Sequence, residues 1–302
     1  MDRETALRSA NAESQSGSIT NAMTVDVEDY FQVSAFADQV RRDDWQGLPC
    51  RVERNTEHVL QLFADKGVSA TFFILGWVAE RYPALVREIA RQGHEVASHG
   101  YAHFRIHEQA PESFREDVRR TKRLLEDTAG LSVSGYRAAS FSLNEKTLWA
   151  VDILAEEGYR YSSSVYPIRH DLYGMPDAPR FAFRHAGESG LLEIPISTVR
   201  LMGRNLPCGG GGYFRLLPYG LSSRALRSLN EREGRACVFY FHPWEIDPDQ
   251  PRMANISLKT RVRHYCNLKL MESRLRTILS DFSWGRLDHI HLKEPAPSGV
   301  AA

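Results

Sequence analysis

The stretch from Glu53 to Gly100, ERNTEHVLQLFADKGVSATFFILGWVAERYPALVREIARQGHEVASHG, decides the reading of the fold. Its first part, Glu53 to Lys66, places Val59, Leu60, Leu62 and Phe63 at helical spacing, and Gly67 supplies the stop. Ala70 to Leu75 follows as a short apolar run, the pattern of a buried strand. A second helical stretch near Val78 to Gln92 ends at Gly93, and Glu95 to Ser98 reads as the next strand. Strands separated by helices argue for a parallel sheet or barrel, because parallel neighbours need a crossover between them.

The alternation extends both ways. Ala22 to Val27 reads as an earlier strand, and Pro111 opens a helix to Thr128 with Phe114, Val118, Thr121, Leu124 and Leu125 in period and Gly130 beyond its end. Strands near Ser134 to Ala138 and Tyr159 to Ser162 flank a helix from Glu145 to Glu157. Further on come a strand at Leu191 to Ile196, a helix from Pro218 to Glu233, a strong strand at Ala236 to Phe241, a long helix from Lys259 to Asp281 and a last strand over Trp284 to Leu292. Asp26, Glu28, His99, Arg137 and His242 fall at or just past strand ends, where α/β barrels place their chemistry.

Composition excludes several classes of function. The 302 residues are 42% hydrophobic and 25% charged, with 38 basic residues offsetting 38 acidic ones, so no net field draws the chain to nucleic acid. The first twenty residues, MDRETALRSANAESQSGSIT, hold no apolar signal core, and no run approaches the roughly 18 apolar residues of a membrane span, which predicts a cytoplasmic protein. Cys50, Cys208, Cys237 and Cys266 lack paired spacing and read as reduced structural thiols. Residues 1–20 read as a disordered arm, 21–293 as one domain and 294–302 as a disordered tail.

Four segments carry chemistry. In Thr24-Val-Asp-Val-Glu-Asp-Tyr30 a strand ends in Asp26, Glu28 and Asp29, a cluster that calls for a cation or an arginine, or else is a solvated turn with a helix cap. Strand alternation puts Asp26 and Glu28 on one face. His99 and His103, at i and i+4 in a helical turn, can face one metal ion together with a carboxylate; two surface histidines are the alternative. His107 is read as a supporting or surface residue. Arg137 ends a strand and can clamp a carboxylate or make a surface ion pair. The apolar strand Cys237-Val-Phe-Tyr-Phe-His-Pro-Trp-Glu245 delivers His242 to its end, as a hydrogen-bonded residue or as a general acid. The run Gly209 to Gly212, followed by Tyr213 and Phe214, is either a close approach to a sugar or a mobile loop.

Taken in this order, the segments resemble the NodB-homology polysaccharide deacetylases, carbohydrate esterase family 4, over about Thr24 to Trp244. The fourth family motif is matched by the segment around Tyr159 to Ser164. Asp-Val-Glu-Asp-Tyr-Phe, Tyr-Ser-Ser-Ser, Gly-Gly-Gly-Tyr-Phe-Arg and Phe-His-Pro-Trp-Glu further resemble the deacetylases encoded beside exosortase and exopolysaccharide genes, whose C-terminal extension the region after Gly187 resembles. The resemblance implies a distorted (β/α)7 barrel and metal-dependent hydrolysis of N-acetyl groups from amino sugars of a polysaccharide or exopolysaccharide precursor. It implies a divalent ion, zinc first, on His99, His103 and Glu28 or Asp29, with Asp26 as base, Arg137 orienting it and His242 as acid. Ser140 would lend a backbone N–H; Tyr213 stacks on a sugar if the glycine run approaches one, and Trp244 either walls the substrate pocket or packs beside the strand end. The usual adjacent aspartate pair is interrupted here by Val27, and Ala139 stands where a proline is usual. Two rival readings are allantoinase-like hydrolysis of a small amide, which needs a closed pocket, and a non-catalytic glycan-binding module, which needs neither base nor acid.

Overall fold

The computed structural model describes residues 19–187 and 189–292. The expected arm lies outside the described residues except for its last two, and Thr20 already opens the first strand; the tail at 294–302 lies outside them entirely. The strands are β1 (Thr20–Val27), β2 (Thr71–Ile74), β3 (Glu95–Ser98), β4 (Gly135–Tyr136), β5 (Tyr161–Ser162), β6 (Phe183–Arg184), β7 (Leu192–Glu193), β8 (Thr198–Leu201), β9 (Arg204–Pro207), β10 (Val238–Phe241) and β11 (Ser283–Gly285). The helices are α1 (Val52–Lys66), α2 (Gly76–Arg81), α3 (Pro83–Arg91), α4 (Pro111–Ala129), α5 (Trp149–Glu156), α6 (Gly211–Leu216), α7 (Tyr219–Glu231), α8 (Leu258–Tyr265), α9 (Leu268–Asp281) and α10 (Leu287–His291). Among the described residues no helix is long and apolar enough to cross a membrane.

Parallel pairing runs β10-β1-β2-β3-β4-β5-β7, and β6 adds antiparallel to β7. These seven parallel strands curl into the distorted barrel that the family resemblance implies. Its seam is bridged by the chain on either side of the β8–β9 hairpin, where Val238 N–H donates to Ser197 Oγ (2.7 Å) and Tyr240 N–H donates to Gly209 O (2.8 Å). Alternation along each strand sorts the side chains. Val25, Val27, Phe72 and Ile74 face the helices in the larger apolar cluster, while Phe73, Ala97, Tyr161 and Tyr240 fill the barrel interior. Asp26 is in register with Phe73, so the carboxylate points inward at the C-terminal end of the barrel.

Four sequence expectations are corrected. The helix expected over Val78 to Gln92 is two, α2 and α3, because Pro83 excludes helical dihedrals at Tyr82 (φ −127°, ψ 60°). The helix expected over Lys259 to Asp281 also divides, at extended Cys266 and left-handed Asn267; the carbonyls of Arg263, His264 and Cys266 there accept from Arg215. The last strand stops at Gly285, and α10 follows, its Leu287 N–H donating to Thr71 Oγ1 and its Asp288 N–H to Glu95 Oε2. His99 to His103 is a loop, not a helical turn. The carbonyls of Gly100 and Tyr101 accept from Gly76 and Trp77, and His103 has φ +52°.

Candidate active site

Asp26 ends β1 and is held by Arg137. The arginine is fully buried, and each of its three nitrogens donates: Nη1 to Asp26 Oδ1 (2.6 Å) and Thr24 Oγ1 (2.8 Å), Nε to Ser163 O (3.0 Å) and Nη2 to Ser163 Oγ (2.9 Å). The guanidinium also lies over the Phe73 ring, 4.0 Å from its centroid. The Tyr161-Ser-Ser-Ser164 run thus earns its place in the sequence as the mould for this arginine, and Ser164 Oγ accepts from Ala138 N–H next door. This is a buried clamp rather than a surface ion pair.

Glu28, His99 and His103 converge beside it, with one ligand-type atom from each within 4.8 Å of the others. His99 Nδ1 lies 2.9 Å from Arg137 O; a carbonyl only accepts, so Nδ1 carries the proton and Nε2 presents its lone pair. Burial pulls His99 down to about 4, which keeps the ring neutral. Burial alone would raise the Glu28 carboxyl, but the imidazoles of His103, His242 and His99 outweigh it and hold it at about 2. Glu28 Oε2 sits 3.0 Å from His103 Nε2 without making a hydrogen bond, and it is a buried oxygen with no hydrogen-bond partner. An orphaned, ionised oxygen facing two imidazoles fits a divalent cation. The loop that aims His103 is pinned by Arg42, whose Nε donates to Ala102 O (2.8 Å) and Nη2 to His103 O (3.1 Å).

Asp29 is not part of this group. Its carboxylate accepts from the backbone N–H groups of Tyr30, Arg51 and Val52 at the start of α1, with distances of 2.6 to 2.9 Å. Glu28→Gln should therefore lower divalent-ion affinity by an order of magnitude or more, whereas Asp29→Asn should leave affinity near wild type and lower the thermal midpoint. Metal titration and melting of the two variants check this, and the reverse ranking would move the ligand to Asp29.

His242 faces the group from β10, its Nε2 3.5 Å from Glu28 Oε1 and 4.0 Å from Asp26 Oδ2. Burial works against its proton, but Glu28, Glu245 and Asp26 prevail and raise it to about 9. Behind it, His242 Nδ1 meets Glu245 Oε1 at 2.8 Å, and Arg215 Nε donates to Glu245 Oε2 at 2.7 Å. Burial would raise Glu245, yet Arg215 and His242 hold it at about 2. Trp244 is stacked between His242 and His264, with centroids at 5.0 and 4.2 Å, and it lines the cavity beside them.

A cavity of about 420 Å³ joins Asp26, Glu28, His99, His103 and His242. Ser140 also lines it, its Oγ donating to Ser34 Oγ (2.7 Å). Tyr213 does not line it: half-buried on α6, it leaves Gly212 at the wall. The glycine run is a close approach to protein. A Cβ on Gly209 would meet Val238 O, one on Gly210 the Tyr240 ring, and one on Gly211 the Glu245 carboxylate. His107 is exposed and apart from the site. The sequence reading missed Glu245 and Arg215 as a pair. Glu245, three residues after His242 across Pro243, is a capping-box spacing and could have been found; Arg215 carried no such signal.

Residues 43–162 match the family model described as polysaccharide deacetylase, and residues 163–292 match one described as a domain of unknown function, DUF3473. Residues 43–162 thus carry a polysaccharide deacetylase domain; β7, β10 and the Arg215–Glu245–His242 chain lie in the second matched segment. A peptidoglycan-N-acetylglucosamine deacetylase of Bacillus cereus is 31% identical over 98 residues, 32% of this chain and 36% of its own. A chitooligosaccharide deacetylase of a Bradyrhizobium species is 27% identical over 100 residues, 33% of this chain and 43% of its own. The chain thus spans less than half the length of these curated relatives. A solved structure from Mycobacterium smegmatis, assigned to the polysaccharide deacetylases, has a TM-score of 0.53 at 22% identity, covering 87% of this chain and 85% of that one, and shows the same fold.

Proposed function

We propose that the chain hydrolyses N-acetyl groups from amino sugars of a polysaccharide or exopolysaccharide precursor. One observation carries this reading: an arginine-held carboxylate, a two-histidine, one-carboxylate cluster and a carboxylate-backed imidazole line one cavity. The imidazole and carboxylate donors of His99, His103 and Glu28 suit zinc. When bound there, the ion supplies a polarised acetamide carbonyl and a water of lowered pKa. Asp26 takes the proton of the attacking water on Oδ2, since Arg137 occupies Oδ1 and fixes the carboxylate plane. His242, protonated and held through Nδ1 by Glu245, gives its Nε2 proton to the departing amine. Ser140 lines the cavity, and its backbone N–H is assigned to the developing oxyanion. Free thiols at Cys50, Cys208, Cys237 and Cys266 support a cytoplasmic setting.

A small closed-pocket amide is the weaker reading, because the cavity rim at Asp171, Leu172, Lys259 and Arg263 is exposed. The test is acetate release from N-acetylated oligosaccharides together with metal analysis; release from small cyclic amides alone would overturn the proposal. Within it, Glu245 positions and charges His242. Glu245→Gln removes the anion that favours the imidazolium, so His242 loses its proton at lower pH. The basic limb of the kcat/KM profile should then move down by about one pH unit or more, with less effect on the acidic limb. A uniform loss at all pH values would make the role of Glu245 merely structural.

A further inference from the structure

Residues 166–175 leave the barrel after β5 and fold back on themselves. Met175 N–H donates to Tyr166 O (2.9 Å), and Gly174 (φ +113°) lies so near Ile168 O that any Cβ there would collide. One side of this loop, Asp171 to Tyr173, lines the catalytic cavity. The other side, with the β8–β9 hairpin, lines a second cavity of about 550 Å³.

Arg169, Arg200 and Arg204 line the second cavity, and all three are exposed. Among the described residues, none of the three side chains makes a hydrogen bond, ion pair or ring contact. Across the loop the pattern is opposite: Lys259 and Arg263 are both tied to Asp171, at 2.5 and 3.0 Å. Among the described residues Asp177 is the one carboxylate that lines the second cavity, so the wall they form carries a net positive charge. Unpartnered guanidiniums around a shared space favour carboxylate or phosphate, which they can bind in bidentate fashion. The volume falls in the range of ligand sites and exceeds the needs of one small ion. Pro176, Leu206 and Pro207 add apolar faces against which the C–H face of a sugar ring can lie.

We propose that this second cavity is a subsite for an acidic group, carboxylate or phosphate, borne by the glycan whose N-acetyl sugar occupies the catalytic cavity. The assignment of the glycan rests on the deacetylase reading; the anion site itself is measured without turnover.

Calorimetry on the full chain would compare an oligosaccharide alternating N-acetylglucosamine and glucuronate, a neutral N-acetylglucosamine oligomer of equal length, inorganic phosphate, and vesicles of phosphatidylglycerol and phosphatidylcholine. The acidic oligomer should bind roughly tenfold or more tightly than the neutral one, and Arg169→Gln, or Arg200→Gln with Arg204→Gln, should each erase roughly tenfold of that preference. Melting curves confirm that the variants fold, and the single variant stands if the double does not. Competition by phosphate against the acidic oligomer would support the site. Equal affinity for the two oligomers overturns it, as does an arginine-dependent affinity for the vesicles alone, which would make the hairpin with its exposed Leu201 and Met202 a membrane contact. If the acidic oligomer binds through these arginines but no substrate releases acetate, the deacetylase reading fails and the subsite stands. Turnover of the neutral oligomer without acidic preference gives the reverse.

Discussion

Asp26→Asn is expected to lower kcat/KM by roughly 10²-fold or more, on an N-acetyl amide and on an aryl acetate alike. The asparagine keeps the shape and can still meet the Arg137 guanidinium through its carbonyl oxygen, but it has no place for the water proton. His242→Ala should behave differently. It removes the donor to the leaving group, and an aryl alkoxide leaves with little protonation whereas an amine does not. The alanine variant should therefore keep relatively more activity on the ester than on the amide. Measuring both variants on both substrates separates base from acid. An equal loss on ester and amide for His242→Ala would remove its role as the acid, and an Asp26→Asn enzyme that retained the ester reaction would remove Asp26 as the base.

Arg137→Met is expected to destabilise the protein by about 3–5 kcal/mol, because it strands a buried carboxylate that has lost its partner. Both members of this pair are almost wholly inaccessible, the arginine side chain at 0% and the aspartate at 3%. The methionine would also leave Thr24 Oγ1, Ser163 O and Ser163 Oγ without the donors they now meet. Urea unfolding midpoints at constant slope measure the loss. Combining Arg137→Met with Asp26→Leu should recover part of it, since the cost lies chiefly in the orphaned charge. A single variant as stable as wild type would mean that water reaches Asp26 and the clamp is weaker than its geometry.

The alternation of strands and helices was legible in the sequence because its signals are local: Val59, Leu60 and Phe63 in period, Gly67 as a stop, Pro111 as a start. What local pattern does not contain was misread. Tyr82 is extended because of the ring that follows it, and Cys266–Asn267 breaks a continuous helical pattern because a buried arginine far away in sequence takes its carbonyls. The geometry of His99 and His103 was likewise invisible: the i, i+4 spacing fits a helix, yet two amides of α2 claim the intervening carbonyls. At the candidate site, residue types at strand ends located Asp26, Glu28, His99, His103, Arg137 and His242. Spacing alone left Glu28 and Asp29 open, and the difference lies in which carboxylate finds the start of α1. Tyr213 does not reach the cavity wall, which Gly212 lines, and the glycine run that suggested a sugar contact packs on β10 and Glu245 instead.

The pairing of β1 with β10 has a consequence for synthesis. Thr24 donates to Phe239 O although the two residues are 215 apart in sequence, and closing such a loop costs about 5 kcal/mol of chain entropy. A chain emerging from the ribosome presents Glu28, His99 and His103 long before His242. The residues of the proposed ion site are therefore made well before the proposed acid, and β1 keeps one flank unpaired until β10 is made. On the proposed function, an ion site complete in its ligands and a site complete in its acid are thus separate stages of synthesis, and the second coincides with closure of the barrel.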